Sequence, residues 1–459
     1  ECLQFELNLK VQDENVSGRP IVLISNDITV QAGSFGAEED ILFDLASQRA
    51  RTLGVPRIYL AANSGARIGL AEELKGKFKV AFVPGDEDNK AFEYLYFDEE
   101  TYQQYHKSVA CEKVEVEGET RYIITDIVGA SEGLGVENLR GSGCIAGETS
   151  RAYDEIFTLT FVTCRTVGIG AYLARLGQRI IQKADPAMPL LLTGYQALNK
   201  LLGRPVYSSN VQLGGPDVMY TNGTSHQIVN SDLEGCVNIV KWLSYVPVRR
   251  GARTPLYLQA LDPVTRSPTF VPASKNALYD PRVLAVGEEN IYSAEVLNAK
   301  AAPGVPLTGI FDKNSFMEVM GGWAKGVVTG RARLGGIPVG VVCVDTRTTE
   351  HTIPADPAGA DTKETVITRA GQVWYPESSY KTAQAIFDMA AEDLPLVMLA
   401  NFRGFSGDSK AMHEMVLKFG SYIVDALRGI QKPIIVYLPP HATLRGGAWV
   451  VVDETINYE

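Results

Sequence analysis

The sequence contains few residues of the kinds that bind metals or form disulfide bonds. Its 459 residues include only six cysteines and five histidines, and the cysteines are scattered without a C-x-x-C pair. A zinc site needs clustered ligands, and no histidine has the spacing of a metal ligand. We therefore expect free thiols in a reducing compartment and no metal in this chain.

Long apolar runs and an excess of positive charge are also missing. No segment approaches the run of about 18 apolar residues that a membrane-spanning helix requires. The net charge of -11 argues against nucleic acid as the main partner, because phosphate backbones select basic surfaces. A globular chain of this length predicts two domains, with three as the alternative.

The common catalytic signatures are absent as well. There is no G-x-x-x-x-G-K-[ST] loop for a nucleotide and no G-x-S-x-G nucleophile elbow. The segment GSGCIAG at 141–147 matches a dinucleotide-binding loop only weakly, and no strand precedes it closely.

Short apolar runs alternate with helical stretches, which predicts an α/β architecture. The predicted strands cover residues 21–24, 58–60, 189–192, 339–344, 396–399 and 434–437. The predicted helices cover residues 39–53, 152–176 and 411–427.

A weak internal repeat relates the two ends of the chain. Its three pairs of segments are 18–27 with 336–345, 56–65 with 395–404, and 189–194 with 433–440. We interpret the repeat as two halves built from strand-strand-helix units, with chance similarity between apolar strands as the alternative. The stretch 246–280 is rich in proline and arginine and is predicted to connect the halves.

Glycine is concentrated where predicted strands end, at residues 63–69, 167–172, 403–407 and 444–448. Glycine lets the backbone approach a ligand closely, and two converging N–H groups form an oxyanion hole. Simple tight turns are the alternative.

Arg165, on a run that favours a helix, and Arg403 stand in apolar surroundings. Each predicts either an internal salt bridge or a bidentate clamp for a carboxylate.

Seven segments are long and specific. They read NSGARIG (63–69), LRGSG (139–143), TCRTVGIGAYL (163–173), GWAKG (322–326), RARLGGIP (331–338), IPADP (353–357) and LRGGAWVVVD (444–453). In this order they resemble the carboxyltransferase domain of eukaryotic multidomain acetyl-CoA carboxylase, over nearly the whole chain. Propionyl-CoA and related carboxyltransferases resemble the chain more distantly.

The resemblance implies two tandem crotonase-like domains of the ClpP/crotonase fold, built from repeated ββα units, at residues 1–250 and 251–459. It implies a homodimer arranged head to tail, with the active site between the first domain of one chain and the second domain of the other. It also implies carboxyl transfer from carboxybiotin to acetyl-CoA, giving malonyl-CoA for fatty acid synthesis, with transfer to another acyl-CoA such as propionyl-CoA as the alternative. The compartment implied is the cytoplasm, with a plastid as the alternative.

The resemblance also implies roles for residues of this chain. Ala66 and Ile169 match backbone donors near the acyl-CoA thioester, and Arg165 and Arg403 match the arginines that hold the carboxyl group. Pocket walls, where the family's herbicides also bind, are matched by Leu139, Gly168 and Tyr172. Backbone positions near the biotin ring are matched by Gly407, Gly446 and Gly447.

Some positions depart from the family pattern. Phe402, Asp408 and Lys410 stand where the family usually has Trp, Gly and Arg, and Thr443 stands where it usually has Glu. The chain begins at Glu1 and ends at Glu459, and the resemblance implies further sequence on both sides. No A-M-K-M biotinylation site and no ATP-binding module are recognisable, so biotin is expected on a biotin carboxyl carrier domain and its carboxylation on a biotin carboxylase domain.

The negative net charge requires a local basic cluster for the phosphates of CoA. Arg249, Arg250 and Arg253 form one candidate, and Lys75, Lys77 and Lys79 form another, with a solvated face as the alternative for each. Two other functions remain open at this stage. A crotonase-type hydratase or isomerase would need a general base such as Glu38 or Glu132, and a non-catalytic assembly domain would need neither CoA nor biotin.

Overall fold

The computed structural model describes residues 2–9, 18–67, 71–85, 91–127, 139–185, 188–257, 262–272, 274, 276–287 and 308–445. The strands of the first half are β1 (Cys2–Leu9), β2 (Arg19–Asn26), β3 (Arg57–Asn63), β4 (Lys79–Phe82), β5 (Phe92–Phe97), β6 (Val109–Val116), β7 (Glu119–Ile127), β8 (Thr158–Val167), β9 (Arg179–Lys183), β10 (Leu190–Leu191) and β11 (Gln227–Val229). Those of the second half are β12 (Met317–Val319), β13 (Val327–Leu334), β14 (Ile337–Val344), β15 (Thr349–Ile353), β16 (Thr365–Arg369), β17 (Val373–Trp374), β18 (Leu396–Leu399), β19 (Gly404–Phe405) and β20 (Ile434–Tyr437).

The α-helices alternate with these strands. They are α1 (Ala37–Leu53), α2 (Glu99–Tyr105), α3 (Leu139–Glu155), α4 (Ile169–Leu176), α5 (Tyr195–Leu202), α6 (Val211–Gly214), α7 (Pro216–Thr221), α8 (Asp232–Leu243), α9 (Pro281–Val286), α10 (Pro376–Ala391), α11 (Ser409–His413) and α12 (Val416–Gly429).

Each half contains one main sheet of the same design. In the first half the order is β1-β2-β3-β8-β9-β11, with β1 antiparallel and the others parallel, and β10 pairs with β8. In the second half the order is β12-β13-β14-β18-β20, with an antiparallel β13-β14 pair followed by parallel strands. An antiparallel hairpin followed by parallel strands and intervening helices is thus repeated, which confirms the predicted α/β fold of two similar units.

The topology corrects one pair of the predicted repeat. Strand β20 lies beside β18, and the strand beside the equivalent β3 is β8, so β20 corresponds to β8 rather than to residues 189–194. The first two pairs are confirmed, since they match β2 with β14 and β3 with β18. Residues 189–194 were misassigned because short apolar runs after proline look alike in sequence.

Two predicted helices were also wrong in extent. Residues 152–176 contain the end of α3, the strand β8 and the helix α4. Residues 411–427 contain α11 and α12, which are separated at Met415, whose φ of 69° is left-handed. The prediction for residues 39–53 is confirmed by α1, which ends at Gly54 with a φ of 69°.

The two faces of the first sheet pack against different layers. Val22, Tyr59 and Val162 point towards α1, α3 and α4, whereas Ile21 and Phe161 point towards α8 and the second half. This second face shares one hydrophobic core with α10 and α12. The predicted division at residue 250 falls in irregular chain between α8 and α9 and stays a prediction.

Smaller sheets decorate the two halves. Strands β4-β5-β7-β6 form an antiparallel sheet between β3 and α3 along the chain, and β15-β16 and β17-β19 are two-stranded. The β17-β19 pair matters for function because it fixes the start of the glycine-rich segment 404–407.

Candidate active site

Two glycine-containing turns of the first half meet at the carboxyl edge of its sheet. Strands β3 and β8 are parallel neighbours, and Asn63 pairs in register with Thr166 at their ends. Gly65 follows with a φ of 84°, and a Cβ at this position would lie 3.0 Å from the Val167 carbonyl oxygen. Only glycine tolerates both the left-handed backbone and this close approach.

Each of the two turns presents one main-chain N–H group, that of Ala66 after β3 and that of Ile169 after β8. Ile169 is the first residue of α4, so its N–H belongs to the helical turn that has no partner within the helix. Ala66 pairs with Phe35 through the hydrogen bonds of its neighbours, Phe35 N–H to Gly65 O and Arg67 N–H to Phe35 O, each 2.8 Å. In an extended backbone the N–H groups of successive residues point to opposite sides. Because the Arg67 N–H points towards Phe35, the Ala66 N–H points away from it. Gly168 precedes α4 with a φ of 57°, and its N–H donates to Leu191 O at 2.9 Å.

Arg165 lies in a bulge at the end of β8. Between the pairs Ala61–Val162 and Asn63–Thr166, β3 advances by two residues while β8 advances by four. The two extra residues push the backbone out of the ladder, as bulges beside active sites commonly do. Residues 158–162 are all buried, whereas Arg165 is exposed. Its predicted apolar surroundings are therefore wrong: the bulge turns the side chain out of the strand.

Of the predicted wall residues, Gly168 and Tyr172 lie at the turn that begins α4. Tyr172 is in the first turn of α4, its N–H donates to Gly168 O at 3.2 Å, and its side chain is 54% exposed. Leu139 begins α3, and its side chain lies outside the described part of the structure.

A second pair of turns occupies the carboxyl edge of the second sheet. Phe402 N–H donates to Thr443 O at 2.6 Å, and Arg445 N–H donates to Phe402 O at 2.9 Å. These bonds join the chain after β18 to the chain after β20. Arg403 is exposed, and its N–H donates to Gln372 O at 2.7 Å. It too was expected in apolar surroundings, and that expectation is wrong because Arg403 follows the strand instead of lying within it.

The segment after Arg403 is open to a ligand. Gly404 has a φ of 128°, and a Cβ on the exposed Gly407 would meet no atom within 4 Å. Asp408 caps α11 by accepting the Ala411 N–H at 2.9 Å and also accepts the Ser406 hydroxyl, and these bonds hold its pKa below the ordinary value. Gly446 and Gly447 lie outside the described residues.

The departures from the family pattern have different surroundings. Phe402 is fully buried with its ring centroid 4.6 Å from that of Trp374, so this substitution lies in the core. Lys410 is exposed on α11, 3.9 Å from Glu414. The main-chain N–H of Thr443 donates to Asn401 Oδ1 at 3.0 Å. This bond does not depend on the side chain at position 443.

Arg165 and Arg403 have no ion-pair partner within the described part of the chain. The buried ion pairs lie elsewhere, where Glu392 bridges Arg179 and Arg331 with nitrogen–oxygen distances of 2.6 Å. Among the described residues, therefore, no internal salt bridge accounts for Arg165 or Arg403. Two exposed guanidinium groups near main-chain donors are suited to an anionic ligand.

The basic cluster at Arg249, Arg250 and Arg253 lies away from these turns. Arg250 N–H donates to Gly54 O at 2.7 Å, and its guanidinium pairs with Glu155 at 3.1 Å. Both partners precede the amino ends of β3 and β8, roughly 20 Å from the turns at the carboxyl ends. The structure thus does not bring this cluster together with Ala66 and Ile169. Lys75, Lys77 and Lys79 are exposed on the segment that follows the Ala66 turn.

The candidates for other chemistry are less well placed. Glu38 is exposed in the first turn of α1, and Glu132 lies outside the described residues. The six cysteines are all free. Among the residues that the structure places, no group of three His, Cys, Asp or Glu side chains could hold a metal ion, and none of the helices among them has the length and hydropathy to cross a membrane.

Comparison with known families settles the membership of the chain. Residues 13–459 match the model of the carboxyl transferase domain. The chain belongs to this family. Its sequence is 53% identical over 450 residues to acetyl-CoA carboxylase of Schizosaccharomyces pombe, which covers 97% of this chain and 19% of that protein.

Other relatives agree. Acetyl-CoA carboxylase of Dictyostelium discoideum is 52% identical over 96% of this chain and 19% of its own length. The mitochondrial acetyl-CoA carboxylase of Saccharomyces cerevisiae (strain YJM789) is 52% identical over 99% of this chain and 20% of its own length. The chain thus spans about a fifth of these multidomain relatives.

The fold is shared with a solved carboxyltransferase. The transcarboxylase 12S structure with methylmalonyl-coenzyme A and methylmalonic acid bound superposes with a TM-score of 0.62 at 18% identity, over 92% of this chain and 61% of that chain. This likeness confirms the crotonase-like fold predicted from the sequence.

Proposed function

We propose that this carboxyltransferase domain moves a carboxyl group from carboxybiotin to acetyl-CoA and produces malonyl-CoA for fatty acid synthesis. The observation that carries the proposal is the pair of turns that places the N–H groups of Ala66 and Ile169 at adjacent strand ends. The acyl group is assigned from the relatives, which are named acetyl-CoA carboxylase.

The first half holds the thioester in this scheme. Loss of the α-proton from acetyl-CoA moves negative charge onto the thioester oxygen, and the N–H groups of Ala66 and Ile169 stabilise that charge where it develops. Tyr172, Gly168 and Leu139 border the acyl group. The exposed guanidinium of Arg165 is free among the described residues to hold the carboxylate of the product as a bidentate pair.

The second half holds the biotin ring. Carboxybiotin, when bound, supplies the carboxyl group and afterwards a basic ureido nitrogen that takes the α-proton. The open surface at Gly407 suits a bound ring, since even an added Cβ would meet nothing there. Gly407, Gly446 and Gly447 would approach the ring through their backbone, and Arg403 would hold the carboxyl group from this side.

The assembly follows from the separation of these parts. The thioester turns belong to the first half and the biotin turns to the second, so we propose a head-to-tail homodimer in which one site uses two chains. Biotin would arrive on a carrier domain of the same full-length protein, after carboxylation by a biotin carboxylase domain. Free cysteines suit a reducing compartment, and we assign the cytoplasm, with a plastid as the alternative.

The test is the reaction in reverse. The chain is mixed with malonyl-CoA and a free biotin derivative, and acetyl-CoA is measured. Formation of acetyl-CoA that depends on the biotin derivative supports the proposal. Biotin-independent hydration of an enoyl-CoA would instead identify a hydratase. Failure to bind either CoA or biotin by calorimetry would identify an assembly domain.

A further inference from the structure

A fully buried asparagine lies behind the thioester turns, which are the turns after β3 and β8 that carry Ala66 and Ile169. It has no role in the proposed mechanism so far described. Asn63 is the last residue of β3, and its Oδ1 accepts the N–H of Gly65 at 3.1 Å and that of Val167 at 3.3 Å. One carbonyl oxygen thus ties the turn after β3 to the turn after β8. A Cβ at Gly170 would lie 2.0 Å from this oxygen, so the first turn of α4 also rests on the same side chain.

The amide nitrogen of Asn63 is fixed from behind. Nδ2 donates to the Tyr59 hydroxyl at 3.0 Å and to Asn26 Oδ1 at 3.3 Å, and the Tyr59 hydroxyl donates to Asn26 Oδ1 at 2.6 Å. All three side chains are buried. A buried amide with both ends engaged has one orientation, because leaving either end unpaired is costly.

The second half repeats the arrangement with other residues. Asn401 Oδ1 accepts the Thr443 N–H at 3.0 Å and also the Gln372 side-chain amide. Its Nδ2 donates to the hydroxyl of the buried Tyr279 at 3.4 Å. Here too one asparagine carbonyl joins the chain after one strand, β18, to the chain after the next, β20.

The correspondence is not evident from the aligned repeat. When residues 56–65 are placed on 395–404, Asn401 falls on Ala62 and Asn63 falls on Phe402. The two asparagines thus hold equivalent turns from positions that differ by one residue, so the contact recurs although the aligned residue does not.

We propose that Asn63 and Asn401 are positioning residues for the two halves of the reaction, and this rests on the proposed carboxyl transfer. Asn63 sets the distance between the Ala66 and Ile169 donors on the thioester side. Asn401 sets the turns that carry Arg403 and Gly407 on the biotin side. Neither side chain touches a reacting atom, since both are buried beneath the turns.

The experiment compares Asn63→Ala and Asn401→Ala in the reverse assay with malonyl-CoA and a free biotin derivative. Asn63→Ala is expected to lower kcat/KM for malonyl-CoA about 100-fold, the effect of a displacement of roughly 1 Å, with KM for the biotin derivative unchanged. Asn401→Ala is expected to raise KM for the biotin derivative and leave binding of acetyl-CoA unchanged. Equal loss in all parameters in step with a lower Tm would show a structural role and overturn the proposal.

Two further variants keep the outcome decisive. Asn63→Asp retains the accepting oxygen and the side-chain volume, and the Tyr59 hydroxyl, 3.0 Å from the position of Nδ2, can rotate to donate to the second carboxylate oxygen, so this variant should recover part of the activity. Asn199→Ala is the matched control, because Asn199 Oδ1 also accepts two main-chain N–H groups, those of Val206 and Tyr207, outside the four turns. The Asn199→Ala variant should leave the KM for malonyl-CoA and the KM for the biotin derivative unchanged.

Hydrogen exchange separates failure of this proposal from failure of the proposed function. In Asn63→Ala the amides of Gly65 and Val167 should exchange faster, while that of Thr443 should not change. If the unaltered chain transfers no carboxyl group, the proposed function fails by itself. If the chain is active but exchange at Gly65 and Val167 is the same in the variant, the positioning role is refuted.

Discussion

The main-chain N–H of Ile169 can be deleted without removing the helix that carries it. Ile169 is the first residue of α4, where proline is favoured because that N–H makes no bond within the helix. The preceding Gly168 has φ 57° and ψ -118°, the mirror image of the extended backbone that proline prefers before it, and glycine adopts it without a Cβ clash. We expect Ile169→Pro to fold and to lower kcat of carboxyl transfer by about 100- to 1,000-fold, as loss of one oxyanion donor does.

The control for this variant is Ile169→Ala, which changes the side chain and keeps the N–H. Steady-state kinetics with malonyl-CoA, together with circular dichroism of both variants, make the comparison. Full activity in a well-folded Ile169→Pro protein would exclude the main-chain donor.

The exposed arginines test the carboxylate clamp. Arg165→Ala or Arg403→Ala removes a charge-assisted pair worth about 1.5–3 kcal/mol, or roughly 10- to 150-fold in kcat/KM for malonyl-CoA. Lysine should restore little because it lacks the planar fork. Since both side chains are exposed, the Tm should hardly change.

Selectivity decides the role of these arginines. Acetyl-CoA has no free carboxylate, so its binding by calorimetry should be unaffected in both variants. The exposed Arg428 at the end of α12 provides an arginine control. Equal weakening of acetyl-CoA and malonyl-CoA would contradict a carboxylate clamp.

Among the elements, strand β8 positions Arg165 through a change from regular strand to bulge. Its first half is a buried parallel strand, and its last residues bulge so that Arg165 leaves the sheet. The apolar run around residues 158–162 satisfies a helix and a buried strand equally, which is why residues 152–176 were predicted as one helix. Only the pairing with β3 and β9 distinguishes the two.

Two basic segments are the candidates predicted to bind the phosphates of CoA. The lysines at 75, 77 and 79 follow the Ala66 turn, whereas the arginines at 249, 250 and 253 lie near the opposite edge of the sheet. Neutralising the segment that binds phosphate should raise KM for the acyl-CoA and weaken its salt dependence, with kcat little changed. From the placement we expect this result for the lysine triple variant, with the arginine triple variant as the matched control.

The outcome is measured as KM for malonyl-CoA at several salt concentrations. The sequence offered both segments as candidates, and a raised KM in the arginine variant alone would assign the phosphates to the arginines. An unchanged KM in both would rule out both segments.

At the scale of the whole molecule, buried charged groups join the two halves. His226, beside β11, accepts the Ile180 N–H on Nδ1 at 3.4 Å and directs Nε2 towards Asp388 of α10 at 3.6 Å. Burial lowers the pKa of His226, with Arg175 and Arg331 adding to the effect and Asp388 opposing it. The pKa of Asp388 is lowered to about 2: burial opposes this shift, and His226 and Arg179 outweigh it.

The lowered pKa of His226 predicts a pH-dependent stability. The unfolded chain binds a proton near the ordinary pKa of 6.5 while the folded chain does not. Stability is therefore fully present above pH 6.5 and is lost as the pH falls towards the folded pKa, at most about 1.4 kcal/mol per pH unit. The Asp388 contribution is lost only below its unfolded value of 3.8, so the two contributions begin to fall at different pH values.

Urea denaturation between pH 5 and 8 tests this prediction. The His226→Gln variant should show a flatter dependence of the unfolding midpoint on pH than the unaltered chain. His106, which is exposed on the surface after α2, supplies the control histidine for the same substitution. An identical slope in His226→Gln would show that His226 does not titrate on unfolding.

The division of the turns between halves predicts an inactive monomer. If each site uses the first half of one chain and the second half of another, activity should fall on dilution in step with dissociation of the dimer. Light scattering and the reverse assay on the same samples measure both quantities. Full activity of a monomer would contradict the shared site.

The sequence by itself determined the class of the fold, six strands of the two main sheets and the carboxyltransferase resemblance. These follow from local patterns: apolar runs at 21–24, 58–60 and 434–437, glycine where strands end, and long motifs that do not depend on distant contacts. Such features depend on residues that are neighbours along the chain, so they can be predicted from the sequence alone.

The tertiary structure alone decided which turns meet and what lies beneath them. The bulge that exposes Arg165 depends on register with β3, and the equivalence of β20 with β8 depends on strand order. The role of Asn63 depends on a hydrogen bond to Val167, a residue that only parallel pairing brings near. Contacts between distant segments carry no periodicity in the sequence, because they arise from packing and not from neighbouring residues.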